Sequence, residues 1–240
     1  MLAACEMSGR VRDAFAARGW EAWSADLLPS EHEDYDPLFS AGKGRHYQGD
    51  CRDLFRWDHP VNQAHREAWG WSEAPLWDLV IAFPPCTHLS LAGAVHWKAK
   101  QADGRQAAAA AFFLEMAEAP APYVAVENPV GIMGRKKNPL YRVPDQVVQP
   151  WWFGDPLAKK TCLWLKDLPL LVADCPVTPT GRVATGGGSW RTDLKHGRGP
   201  NNGHEDSEGR AMRDVVRSRT LPGVARVMAQ QWGSYIEERA

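Results

Sequence analysis

The sequence predicts an α/β fold built on a mostly parallel sheet, Rossmann-like in kind, with a small loop-rich insert toward its C-terminal end. Short apolar runs alternate with helical patterns through the first 130 residues, as in βαβ units. Polar residues follow several of these runs, and open α/β sheets bind ligands outside the carboxyl ends of their strands. A chain of 240 residues is also long enough to bury a good core in one domain with a small appendage.

Met1–Ala4 reads as a short buried strand, and Val11, Ala14 and Phe15 set a helical rhythm over Gly9–Arg18 that Gly19 stops. Glu21–Ala25 is a second strand with Asp26 at its end, residues 29–45 are loop, and His46-Tyr47-Gln48 is a third strand closing on Gly49-Asp50. A weaker helical pattern covers 60–72. Leu76–Phe83 is the clearest buried strand, and Pro84-Pro85 ends it. An Ala-rich helix over 103–117 leads to a strand at Tyr123–Val126, which delivers Glu127-Asn128-Pro129. Residues 131–160 look basic and irregular, Thr161–Leu165 reads as a strand, 174–209 as Gly-rich loop, and 222–238 as a closing helix. Asp26, Asp50, Cys86 and Glu127 are thus all expected on one edge of the sheet.

Composition narrows the function classes. No run of roughly 18 apolar residues occurs, so neither a membrane span nor a membrane partner is expected. The opening Met1-Leu2-Ala3-Ala4-Cys5-Glu6 lacks the basic-then-apolar pattern of a signal peptide. Five cysteines without a CxxC pair argue against a disulfide framework or a Cys₄ zinc site and fit a reducing cytoplasm. The 12 tryptophans are read first as packing and second as surfaces for stacking bases. Charge is uneven: residues 1–130 hold 11 Lys+Arg and 18 Asp+Glu, whereas 131–240 hold 17 and 11. A basic C-terminal half suits a polyanion such as DNA, although a solvated surface would show the same split.

Cys86 stands on a stiff ledge, because two prolines fix the backbone before it. A thiol held in one direction suits a nucleophile, while the plainer reading is a small buried apolar residue. Glu127 sharpens the choice. A pyrimidine C5 is too unreactive to attack an alkyl donor until a thiolate adds at C6, and a partly protonated carboxyl at N3 eases that addition. Its plainer reading is a helix cap.

Phe83-Pro84-Pro85-Cys86 and Val126-Glu127-Asn128-Pro129 resemble the Pro-Pro-Cys and Glu-Asn-Val motifs of the cytosine-C5 DNA methyltransferases, in the same order. Gly49-Asp50-Cys51 is similar to the motif whose carboxylate binds the cofactor adenine, and Asp26, followed by Leu27, stands where the family carries its ribose-binding acid. Trp151–Thr161 is similar to the family's Gln-x-Arg-x-Arg region, with Lys159 and Lys160 in place of arginines. Arg219-Thr220-Leu221-Pro222-Gly223 resembles the final cofactor-side motif. In style the chain is similar to a compact, phage-type branch. The first motif, Phe-x-Gly-x-Gly, reads Cys5-Glu6-Met7-Ser8-Gly9 here, so only Gly9 is kept and Glu6 adds an acid.

The resemblance implies an S-adenosylmethionine-dependent methyltransferase fold, with residues 1–166 and 215–240 as the catalytic, cofactor-binding domain and 167–214 as a minimal target-recognition region. It implies S-adenosyl-L-methionine, or a modified analogue, as cofactor, held by Cys5, Glu6, Met7, Ser8, Gly9, Asp26, Leu27, Asp50, Cys51 and Pro84. Cys86, Glu127, Asn128 and Lys160 become the catalytic candidates, and His88, Ser90, Lys159, Lys160, Arg182 and Arg191 the DNA contacts. The implied substrate is double-stranded DNA with its cytosine flipped out. The implied setting is a phage- or prophage-encoded monomer in the bacterial cytoplasm. Cys86-x-His88 is half of a metal site with no second half, so no metal is expected. The alternatives are transfer of a bulkier group, which Glu6 motivates, a pyrimidine-nucleotide-modifying enzyme, and a non-catalytic DNA-binding relative.

Overall fold

A computed structural model describes residues 1–31, 45–69, 76–135, 142–182 and 219–240. Its centre is a seven-stranded sheet in the order β3-β2-β1-β4-β5-β8-β6. The strands are β1 (Leu2–Ala4), β2 (Trp23–Asp26), β3 (Arg45–Gln48), β4 (Leu79–Ala82), β5 (Tyr123–Pro129), β6 (Gln146–Val148) and β8 (Thr161–Lys166). The first five run parallel, and β8 is antiparallel to both its neighbours. A separate two-stranded piece pairs β7 (Leu157–Ala158) with β9 (Gly181–Arg182).

Both faces of the sheet are covered, which is why its central strands are continuously apolar. In β4, Leu79 and Ile81 join the core with Val11 and Phe15 of α1 (Arg10–Ala16). That core also takes Val224 of α5 (Pro222–Val227) and Trp232, which ends the π-helical turn Met228–Trp232 leading into α6 (Gly233–Glu237). Val80 and Ala82 face the other way, toward Leu54 of the 3₁₀ turn Cys51–Phe55 and toward Phe113 and Met116 of α4 (Arg105–Ala117). The helix α2 (Pro60–Trp69) follows that turn, and α3 (Trp97–Ala102) follows a 3₁₀ stretch, Leu91–His96. Trp23, Trp77, Trp164 and Trp232 are all buried, as the packing reading expects.

Three departures from the sequence expectation have physical causes. Leu76 and Trp77 do not extend β4, because the Trp77 indole donates to Leu54 O at 2.8 Å and anchors the neighbouring turn. β5 runs on through Glu127, Asn128 and Pro129 because β8 pairs with those residues, in the register Glu127↔Leu163 and Pro129↔Thr161. The third is β6, an edge strand that pairs only with β8 inside a stretch expected to be irregular. The expected loop at 174–209 carries β9 at its start, and its residues 183–209 lie outside the described ones, as does most of the proposed recognition region. Among the described residues no helix is long and apolar enough to cross a membrane.

Candidate active site

The carboxyl ends of β3, β2, β1, β4 and β5 bring Asp50, Asp26, the Cys5–Gly9 turn, Cys86 and Glu127 into a row along one sheet edge. Asp26 closes β2, and its carbonyl accepts the Gly49 N–H at 2.9 Å, tying the ends of β2 and β3 together. The Asp26 carboxylate accepts the Leu28 N–H at 2.9 Å, and burial pushes its pKa up. Leu27 beside it is 74% exposed, an apolar surface at the rim. Asp50 caps the turn that starts at Cys51, accepting the Arg52 N–H at 3.0 Å, and its ion pair with the Arg52 guanidinium holds its carboxyl low. The two oxygens of a carboxylate retain acceptor sites beyond these bonds.

The turn after β1 is tightly built. Cys5 has a left-handed φ of 58°, and its thiol lies 3.8 Å from that of the buried Cys51. That contact and burial raise the Cys5 pKa. Glu6, Met7 and Ser8 are all withdrawn from solvent. The Ser8 hydroxyl donates to Glu6 Oε1, whereas the buried Oε2 has no hydrogen-bond partner among the described residues. Burial pushes the Glu6 pKa from an ordinary 4.5 up to about 7. Native Glu6 therefore keeps its proton across a range where the unfolded chain has released it, so stability falls as pH rises from 4.5 to 7. Replacement by glutamine keeps the shape and removes the titration. We expect Glu6→Gln to match the native protein below pH 4.5 and to exceed it above pH 7 by on the order of 3 kcal/mol, read from urea unfolding midpoints.

Cys86 is half-exposed on its ledge. The buried Asn128 donates from Nδ2 to Pro84 O at 2.8 Å, so the end of β5 holds the ledge that ends β4. The Cys86 carbonyl accepts the Leu89 and Ser90 N–H groups at 3.0 and 2.9 Å, closing a single turn behind the thiol. That turn is pinned to the segment after Glu127-Asn128-Pro129: Leu91 N–H donates to Val130 O and Ile132 N–H to Leu89 O. The backbones meet so closely that a Cβ on Gly131 would stand 2.2 Å from Leu89 O. Gly131→Ala is accordingly expected to destabilise the fold by roughly 1–3 kcal/mol, measured by urea unfolding.

Glu127 is half-buried, and burial raises its pKa. The charge of Lys159 and a hydrogen bond from Thr161 oppose the rise. Lys159 is thus the lysine whose charge reaches Glu127; Lys160 is exposed, and its charge acts on Cys162, whose thiol burial pushes up to about 11. The backbone of Arg182 pairs with Ala158 next to these lysines. Ser90 is buried, and His88 has a buried Nδ1 without a partner among the described residues. Burial, then Lys100 and Arg105, hold the His88 imidazole below its usual pKa. Arg191 lies outside the described residues. Among the described residues no three His, Cys, Asp or Glu side chains gather as a metal ion would require.

Sequence reasoning missed Thr161, Lys100 and Gln106. The buried Lys100 and Gln106 bond the carbonyls of Thr87 at 2.6 Å and His88 at 3.1 Å. No spacing rule marks them, since they act from 13 and 18 residues away on backbone atoms.

The strand order defines the class of protein as a Rossmann-like α/β fold, five parallel strands followed by an antiparallel pairing with β8. No family model and no curated protein matches the chain. One solved structure that resembles it is a crystal structure described as a DNA modification methyltransferase encoded within a prophage of E. coli. It aligns at a TM-score of 0.45 with 16% identity, over 74% of this chain and 52% of that one. The chain therefore spans about half the length of that structure.

Proposed function

We propose that the chain is an S-adenosylmethionine-dependent DNA (cytosine-5-)-methyltransferase. The observation that carries this reading is the Asn128–Pro84 bond, which joins the thiol ledge of Cys86 to the strand holding Glu127. A fixed nucleophile and a carboxyl with a raised pKa on adjacent strands suit addition across the C5–C6 bond of a pyrimidine.

The residues also suit the cofactor. Neighbouring strands lie about 4.8 Å apart, so the edge from β3 to β4 spans roughly 14 Å, fitting a nucleoside with an extended amino-acid arm. Along it, Asp50 would meet the adenine amino group, Leu27 the ring face, Asp26 the ribose hydroxyls, and the Cys5–Gly9 turn with Pro84 the amino-acid arm. When bound, this cofactor supplies an electrophilic methyl group.

The chain's own residues do the rest. The Cys86 thiolate forms an S–C6 bond to a cytosine swung out of the duplex, while protonated Glu127 donates to N3 as electron density grows there. Asn128 holds the ledge, and Thr161 and Lys159 orient the Glu127 carboxyl. After C5 accepts the methyl group, loss of the C5 proton to solvent breaks the S–C6 bond, and N3 returns its proton to Glu127 as the ring is restored. Lys159, Lys160 and Arg182 contribute positive charge for backbone phosphates.

The test is nucleoside mass analysis of DNA from cells expressing the protein, with base-resolution sequencing of modified cytosine. A methyl increment on cytosine is expected. A larger increment selects the bulkier-donor reading, and unmodified cytosine alongside folded, donor-bound protein refutes the assignment.

A further inference from the structure

The turn that carries Cys86 is held from nearly every side. The carbonyls of Pro84, Cys86, Thr87, His88 and Leu89 all accept hydrogen bonds, from Asn128, from Leu89 and Ser90, from Lys100, from Gln106 and from Ile132. Most of these donors are neutral backbone or amide groups. Lys100 is different: it is a cation, 7% exposed, with its Nζ 2.6 Å from the carbonyl of the residue that follows Cys86.

Neutral donors occupy the carbonyls on either side, those of Cys86 and His88, and a neutral donor would satisfy the Thr87 carbonyl as well. An ammonium taken out of water is costly unless an opposite charge or strong dipoles meet it. The charge accordingly calls for a use beyond the bond. Gly93 lies over the contact, where a Cβ would stand 3.0 Å from Nζ and 3.2 Å from Thr87 O, so the packing keeps side chains from parting the two groups. The charge of Lys100 also reaches the residue after Thr87, since after burial it is among the causes that lower the His88 pKa. Cys86 directly precedes Thr87 in the chain, and a cation near a thiol favours the thiolate that attacks.

We propose that Lys100 is a positioning residue of this site: its buried ammonium, bonded to the Thr87 carbonyl, fixes the turn that carries Cys86 and stabilises the anionic form of that thiol. The inference rests on the reading of Cys86 as nucleophile, but it is tested without any methyl transfer. Iodoacetamide alkylates a thiolate, forming an S–C bond as iodide leaves. Peptide mass mapping then gives the rates at Cys86 and at the exposed Cys175 in the same protein.

Three variants separate charge from hydrogen bond. Lys100→Gln keeps a donor for Thr87 O without the charge, Lys100→Met removes both, and Lys100→Arg keeps both. Near neutral pH, Lys100→Gln is expected to slow Cys86 alkylation about tenfold relative to Cys175, the size of a one-unit pKa change, and Lys100→Arg to restore it. Native-like alkylation of Cys86 in folded Lys100→Gln overturns the proposal. The native protein supplies an arm that does not depend on the variants folding. Its Cys86 alkylation should reach half-maximum at lower pH than Cys175, and a midpoint at or above that of Cys175 also overturns it. Failure of the nucleophile reading shows elsewhere, as DNA methylation that survives loss of Cys86.

Discussion

Cys86→Ala is expected to abolish cytosine methylation, by roughly 10⁴-fold or more, because the C5 position has no other route to nucleophilic character. The fold should persist. Cys86 is half-exposed, and the bonds that hold its turn use backbone atoms that alanine retains. Donor binding by calorimetry should likewise be unchanged, so the loss falls on chemistry alone. A second measurement uses DNA carrying 5-fluorocytosine, in which no C5 proton can leave. The native protein should remain covalently attached to it through Cys86 in the presence of donor, and Cys86→Ala should not. Methylation at a native rate by Cys86→Ala rules the mechanism out.

Glu127→Gln is expected to cost roughly 10²- to 10⁴-fold in turnover, the range for removal of a general acid. The amide can still donate a hydrogen bond to N3 but cannot pass a proton to it. The pH profile separates this role from simple placement. Burial raises the Glu127 pKa, so its proton is kept to higher pH than on an ordinary carboxyl, and acid-dependent activity is lost as pH rises through that raised value. The opposing limb, rising with pH, belongs to thiolate formation at Cys86. In Glu127→Gln the alkaline fall should disappear while the rising limb remains. An unchanged alkaline limb in that variant assigns it to another group. Removal of the Thr161 hydroxyl, which favours the carboxylate, should move the fall to higher pH.

Much of this protein is legible in its sequence. The central strands β1 and β4 and the first half of β5 lie where the apolar runs place them, because a strand covered on both faces is apolar at nearly every position, whereas β3 at the edge reads Arg-His-Tyr-Gln. Asp26, Asp50 and Cys86 then follow, since a polar residue that ends such a run sits at the sheet edge. Glu127 fell to a different rule. Its strand continues past it only because β8 pairs with it from more than thirty residues further along the chain. β6 escaped notice for the same reason: three residues with one partner strand carry too short a pattern to read. The Cys5–Gly9 turn is read from its likeness to a motif, and no pattern marks Glu6 as buried with one oxygen unbonded among the described residues.

By itself, then, the sequence determined the apolar periodicity, hence the parallel sheet, and the residue types at its strand ends. Tertiary structure alone decided how those ends are held. The bond from Asn128 to Pro84, the grip of Lys100 and Gln106 on the turn behind Cys86, and the approach of Gly131 to Leu89 all end on backbone carbonyls. Every residue has such a carbonyl, so no side-chain pattern marks which one will be used. The choice is made only when the chain folds and each buried carbonyl must find a donor.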